Sequence, residues 1–152
     1  MDELRLEYWT YAIPIIAAAH GGNGPYSGVA PSNKTYCDGF FGIGGIHLFC
    51  SIKSRSHCAV AGLWIDTGKQ EKSKKMFDVL YRHKEVVEEK ISMPILWDRK
   101  DKKYACSIEI ALENVDFTNQ DAWETIAKFH AEITKELADN IVYPYKDELL
   151  GL

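Results

Sequence analysis

The stretch "DGFFGIGGIHLFCSIK" (38–53) constrains the fold more than any other part of the chain. Two apolar runs flank Gly44-Gly45, and paired glycines between such runs signal a β-hairpin, because a two-residue I′ or II′ turn needs positive φ. With the turn centred on those glycines, Ile43 faces Ile46, Phe41 faces Leu48 and Gly39 faces Cys50. These residues and Ile52 then share one face, while Phe40, Phe49, Gly42 and His47 take the other. A period of two specifies register strongly, since a one-residue slip turns the whole apolar set outward. The same glycines do not build a phosphate loop. No Lys-Ser/Thr follows Gly45, and G-x-G-x-x-G would need glycine where His47 stands.

The remaining segments read in the same way. "CAVAGLWID" (58–66) is a third strand, reached through a polar turn at Ser54-Arg55-Ser56. From residue 68 to 91, Met76, Phe77, Leu80, Lys84, Val87 and Ile91 recur at helical spacing. "ILWDR", a charged turn at Lys100 to Lys103, and "YACSIEIAL" make a second hairpin, with Cys106, Ile108, Ile110 and Leu112 alternating with polar or small residues. Thr118 to Asp121 opens a last helix whose stripe is Trp123, Ile126, Ala127, His130, Ile133 and Leu137. Residues 3–19 form a first helix that Pro14 should kink or split. The expected fold is α+β, an antiparallel sheet of about five strands with three helices in the order α-β-β-β-α-β-β-α. All 152 residues belong to a single domain, 1–152, interrupted by a long Gly/Pro-rich loop at 20–34.

Charge and cysteines narrow the function classes. A net charge of -4 gives no global attraction to nucleic acid or anionic membrane, so such binding needs a local basic patch. "MDELRLEYW" opens acidic, unlike a signal peptide, and "YAIPIIAAA" is too short to span a bilayer. A cytoplasmic chain without membrane partners is expected. Cys37, Cys50, Cys58 and Cys106 form no C-x-x-C pair and read as small buried hydrophobes.

Catalytic patterns are weak. The five histidines lack H-x-x-x-H spacing; His130 sits on a buried stripe, and His47 and His57 could approach across the sheet. Asp66 with Asp98-Arg99-Lys100 can be arranged as a restriction-type acidic set, but "DRKDKK" reads first as a solvated turn. No catalytic residue, metal or cofactor is assigned. Basic clusters carry more information. Lys53 and Arg55 occupy one turn, Arg99, Lys100, Lys102 and Lys103 another, and Lys69, Lys72, Lys74 and Lys75 open the second helix against its macrodipole. Two such clusters on one face would bind phosphates or another anion. The 20–34 loop, with Tyr26, Asn33 and Lys34, is the other candidate, as cover for a ligand beside the sheet.

"LWIDTGKQEKSKKMFDVLYRHKEVVEEK", "ILWDRKDKKYACSIEI" and "DAWETIAKF", together about residues 60–137, resemble an uncharacterised bacterial and archaeal domain of unknown function. Its members are often fused behind an endonuclease-like domain of the restriction and repair type. The positions that the resemblance marks are Trp9, Asp66, Phe77, Leu80, Trp97 and Trp123, most of them equally readable as core anchors. It implies no reaction, and this chain is expected to depart from the fused pattern, without a nuclease-like domain ahead of it. The expected role is a non-catalytic accessory or interaction module, binding nucleic acid or a partner protein such as a nuclease in a restriction or defence context. The alternative is a small-ligand binder or minor enzyme with its pocket under the 20–34 loop. Homodimerisation through an uncovered sheet edge or face is compatible with either.

Overall fold

Apolar residues at alternate strand positions meet the helices on one side of the sheet only, and that asymmetry organises the molecule. The computed structural model describes residues 1–152. Strands β1 (Tyr36–Phe40), β2 (Ile46–Lys53), β3 (Cys58–Ile65), β4 (Leu96–Asp98) and β5 (Cys106–Glu113) lie in the order β1-β2-β3-β5-β4, with every neighbour antiparallel. Helices α1 (Asp2–Ala19), α2 (Gln70–Tyr81), α3 (Lys84–Lys90), α4 (Trp123–Leu137) and α5 (Lys146–Leu150) supply the second layer. Leu48, Cys50, Ile52, Ala59, Ala61, Leu63, Cys106, Ile108 and Ile110 face those helices in one continuous core. α4 crosses β2 and β3, and α1 packs on α4.

The α+β class and the antiparallel sheet agree with the sequence pattern, but there are five helices rather than three, and the chain order changes accordingly. The 68–91 segment breaks at Arg82-His83, giving α2 and α3. There the His83 ring stacks on Tyr145 at 3.8 Å and 7°. The stripe of Leu80, Val87 and Ile91 stays buried through the break, so periodicity alone could not reveal it. α5 has five residues, too few to show a period. A 3₁₀ turn at Gln120–Ala122, capped by the Asn119 side chain, leads into α4, and a π-type turn at Ala138–Val142 extends it.

The first hairpin keeps its predicted faces but not its register. Gly39 pairs with Leu48, Phe40 with His47 and Cys37 with Cys50. The turn therefore spans Phe41 to Gly45, with positive φ at Gly42 and Gly45 instead of at the adjacent pair 44–45. Gly45 is held by the Asp66 amide, which donates to its carbonyl at 2.8 Å. Phe41 leaves the ladder and meets Tyr143 edge-on. The shift is two residues, so every side chain stays on its predicted face.

Pro14 lies inside α1 without splitting it. The carbonyl that loses its donor belongs to Thr10, an exposed residue. The core below is rich in rings: buried Tyr8 meets Trp9, Trp123 and His130 edge-on, and Trp9 stacks on His130. No helix is long and apolar enough to cross a membrane.

Candidate site on the open face of the sheet

The second face of the sheet has no helix over it. Tyr36, Asp38 and Phe40 on β1, His47, Phe49, Ser51 and Lys53 on β2, and Val60, Gly62 and Trp64 on β3 point that way, with Ser107 and Glu109 on β5. Val60 is buried there yet stands outside the main core. A groove of about 470 Å³ runs over this face, lined chiefly by Tyr36, Asp38, Phe49, Ser51, Trp64 and Glu109.

Its shape comes from contrast in side-chain size. Phe49 lies opposite Gly62, and a Cβ on that glycine would come within 2.8 Å of the Phe49 ring and 2.7 Å of the Ile108 carbonyl. The missing Cβ lets the ring lie down on the sheet and meet Trp64 edge-on, centroids 6.3 Å apart. Ser51 sits between Tyr36 and Val60 on neighbouring strands. Its Oγ is buried and has no hydrogen-bond partner. The Asp38 carboxylate stands 3.5 Å from His47 Nε2, and His47 in turn lies against Phe40.

Cations flank the groove at both ends. Lys34 Nζ lies 5.4 Å above the Tyr36 ring, and the Trp9 indole donates to the Lys34 carbonyl at 2.8 Å, which anchors that end of the loop. Lys100 Nζ lies 5.9 Å above Trp64. Lys53 lines the groove itself at the end of β2.

The structure does not merge the predicted basic clusters. Lys53 pairs with Cys58 and Cys58 with Glu113, whereas Trp64 pairs with Ser107 and Ser107 with Asp98. The Lys53/Arg55 turn and the 99–103 turn therefore lie at opposite ends of the sheet, roughly 20 Å apart at about 3.4 Å per residue. Arg99 is clamped by both oxygens of Asp78 at 2.9 and 3.0 Å, with Asp101 also bound, and these carboxylates raise its pKa above the usual guanidinium range. Lys100 binds Asp98 at 2.8 Å, and this bond holds the Asp98 carboxyl below its ordinary range. Arg55, Lys102 and Lys103 are exposed and unpaired.

Lys74, read in the sequence as part of a cationic helix start, is instead buried. Its ammonium donates to the carbonyls of Arg99, Lys100 and Ala105 at 2.6, 2.8 and 2.9 Å. The 20–34 loop is also tied down. Tyr26 is fully buried, its hydroxyl donating to the Cys37 carbonyl at 3.3 Å, and its ring fills the space over Gly39. The volume beneath the loop is thus occupied by the loop's own side chain, while Asn33 and Lys34 remain at the surface. His47 and His57 stand at opposite ends of β2 and do not meet.

Asp66 spends its carboxylate on the Gly68 amide, and no three His, Cys, Asp or Glu side chains come together as metal ligands. Burial pushes the Cys37 thiol up to about 12 and the Cys50 thiol higher still. Sequence reasoning missed Tyr36, Asp38, Ser51, Trp64 and Glu109 as neighbours. The available signal was a set of aromatic residues at positions that the period of two assigns to solvent.

These features define an α+β domain with one helix-covered and one bare sheet face. A family model described as "Domain of unknown function (DUF4268)" matches residues 4–146, and the chain belongs to that family. No match was found among curated proteins or among solved structures. The six positions marked by the resemblance serve the fold: Trp9 and Trp123 donate to backbone carbonyls, Phe77 and Leu80 are buried, Trp97 meets Phe77, and Asp66 holds a turn.

Proposed function

We propose that this chain is a non-catalytic nucleic-acid-binding module that holds a single strand across the open face of its sheet. The observation that carries the reading is a bare face bearing Tyr36, Phe49 and Trp64, with a lysine above the first ring and another above the last. Aromatic platforms of this kind bind unpaired bases by stacking, worth about 1–3 kcal/mol per base. Lys34, Lys53 and Lys100 take the phosphates. Asp38 and Glu109 on the floor repel phosphate, so the strand lies with bases inward and backbone along the lysine rims. A duplex hides its base faces and gains nothing from the rings. In a restriction or defence context, such a module would hold a strand for a nuclease partner.

The test is fluorescence anisotropy with a labelled single strand of about ten nucleotides and the matching duplex. Three phosphate contacts give a log–log salt slope near −2, so affinity for the single strand should fall roughly twentyfold between about 50 and 200 mM salt. The duplex should bind more weakly at both. Duplex binding at least as tight as single-strand binding, or no binding at low salt, refutes the proposal.

A further inference from the structure

Two serines on this face, Ser51 and Ser107, have a buried Oγ without a hydrogen-bond partner, and of the two Ser51 lines the groove. The residue is only 7% exposed, its Oγ is shielded from solvent and it has no partner. Buried hydroxyls are nearly always hydrogen-bonded, so an orphan on a groove floor needs a reason. Its backbone is held from below, because the Ser51 carbonyl accepts a hydrogen bond from His130 Nε2 at 3.0 Å. The hydroxyl therefore stands on a rigid support, and its donor and lone pairs become available to a base once the side chains that cover it turn aside.

Asp38 is its diagonal neighbour on the adjacent strand, since Tyr36 pairs with Ser51 and Asp38 with Phe49. Diagonal pairs on one sheet face lie about 7–8 Å apart at the backbone, a spacing that admits a planar ring between two polar tips. The Tyr36 and Phe49 rings border the same space. The groove thus combines aromatic walls, a carboxylate acceptor and a hydroxyl donor.

Resting on the nucleic-acid reading above, we infer that Ser51 and Asp38 form a base-edge seat selecting bases that carry an exocyclic amino group, with cytosine preferred to thymine. The cytosine amino group donates to the Asp38 carboxylate, and the adjacent ring acceptor receives the Ser51 hydroxyl. Thymine presents a carbonyl oxygen where cytosine presents the amino group. That oxygen faces a carboxylate and leaves it without a donor, which is the kind of mismatch that discriminates strongly.

The experiment compares oligo-dC and oligo-dT of about eight nucleotides against the wild type, Ser51→Ala and Asp38→Asn, with melting temperatures measured on the same samples. The wild type should bind oligo-dC about fivefold or more tighter than oligo-dT. Ser51→Ala should lose about fivefold in affinity for oligo-dC, while its melting temperature stays level or rises because an orphan polar group has been removed. Asp38→Asn should erase the preference of cytosine over thymine. Equal binding of both oligomers by the wild type overturns the seat while leaving the nucleic-acid reading standing. So does an unaffected Ser51→Ala. Binding of neither oligomer overturns the nucleic-acid reading itself, and the seat with it.

Discussion

Tyr8 and His130 meet at 2.9 Å, hydroxyl to Nδ1, in the centre of the core. The other ring nitrogen, Nε2, lies 3.0 Å from the Ser51 carbonyl, which can only accept. Nε2 therefore carries the proton, Nδ1 is the acceptor, and Tyr8 donates. One neutral histidine thus ties α1 to α4 and both to the strand position beneath the groove.

That arrangement sets a pH dependence. Burial pushes His130 down to about 4 from 6.5, so between those values the unfolded chain takes up a proton that the folded chain refuses. The stabilisation is complete above pH 6.5 and is lost as pH falls toward 4, about 3 kcal/mol in all. Urea unfolding at about pH 7.5, 5.5 and 4.5 should show the decline, and His130→Gln should flatten it. An unchanged slope in that variant would contradict the assignment.

Lys74 predicts a structural loss. Replacing it with methionine strips three carbonyls of one shared charged donor and should destabilise the chain by about 2–4 kcal/mol. The same change should open the 99–105 turn to limited proteolysis at Arg99 to Lys103. A stable, protease-resistant Lys74→Met protein would show that the turn does not depend on this ammonium.

The basic residues separate by position. Lys53→Glu and Lys100→Glu each remove one proposed phosphate contact, and should lower the single-strand salt slope by about 0.7 and the affinity severalfold. The double change at Lys102 and Lys103, which lie at the far tip of the turn, should have a much smaller effect. The reverse ranking would move the binding surface to the 99–103 turn.

Thiol reactivity follows burial. Cys37, Cys50 and Cys106 are buried and their thiols are pushed up by desolvation, whereas Cys58 is partly exposed beside Ser56. An aromatic disulfide reagent at neutral pH should modify Cys58 rapidly and the other three only on unfolding. Rapid modification of two or more thiols in the native chain would contradict the packing.

Much of the scaffold is legible in the residues because burial leaves a period. Ile108, Ile110 and Leu112 announce β5, and Trp123, Ile126, His130, Ile133 and Leu137 announce α4. The hairpin register is not legible in the same way, since a shift of two preserves the period, and β1 is held from outside the hairpin by the Phe40 amide donating to the Pro25 carbonyl and by Tyr26 over Gly39. The break at Arg82-His83 is likewise hidden, being set by stacking on a tyrosine 62 positions away in sequence. Tyr26 carries a loop residue's sequence context and a core residue's burial. The groove was least legible, because a bare sheet face depends on where every helix goes, and no local pattern records that.

The most direct test of the central claim is a chemical-shift map of the isotope-labelled chain titrated with a cytosine-containing single strand. Binding across the open face predicts amide shifts concentrated at 34–38, 47–53, 60–64 and 107–109, with the Trp64 indole among the most affected. Shifts confined to 69–75 and 99–105, or spread evenly without a focus on the groove, would contradict it.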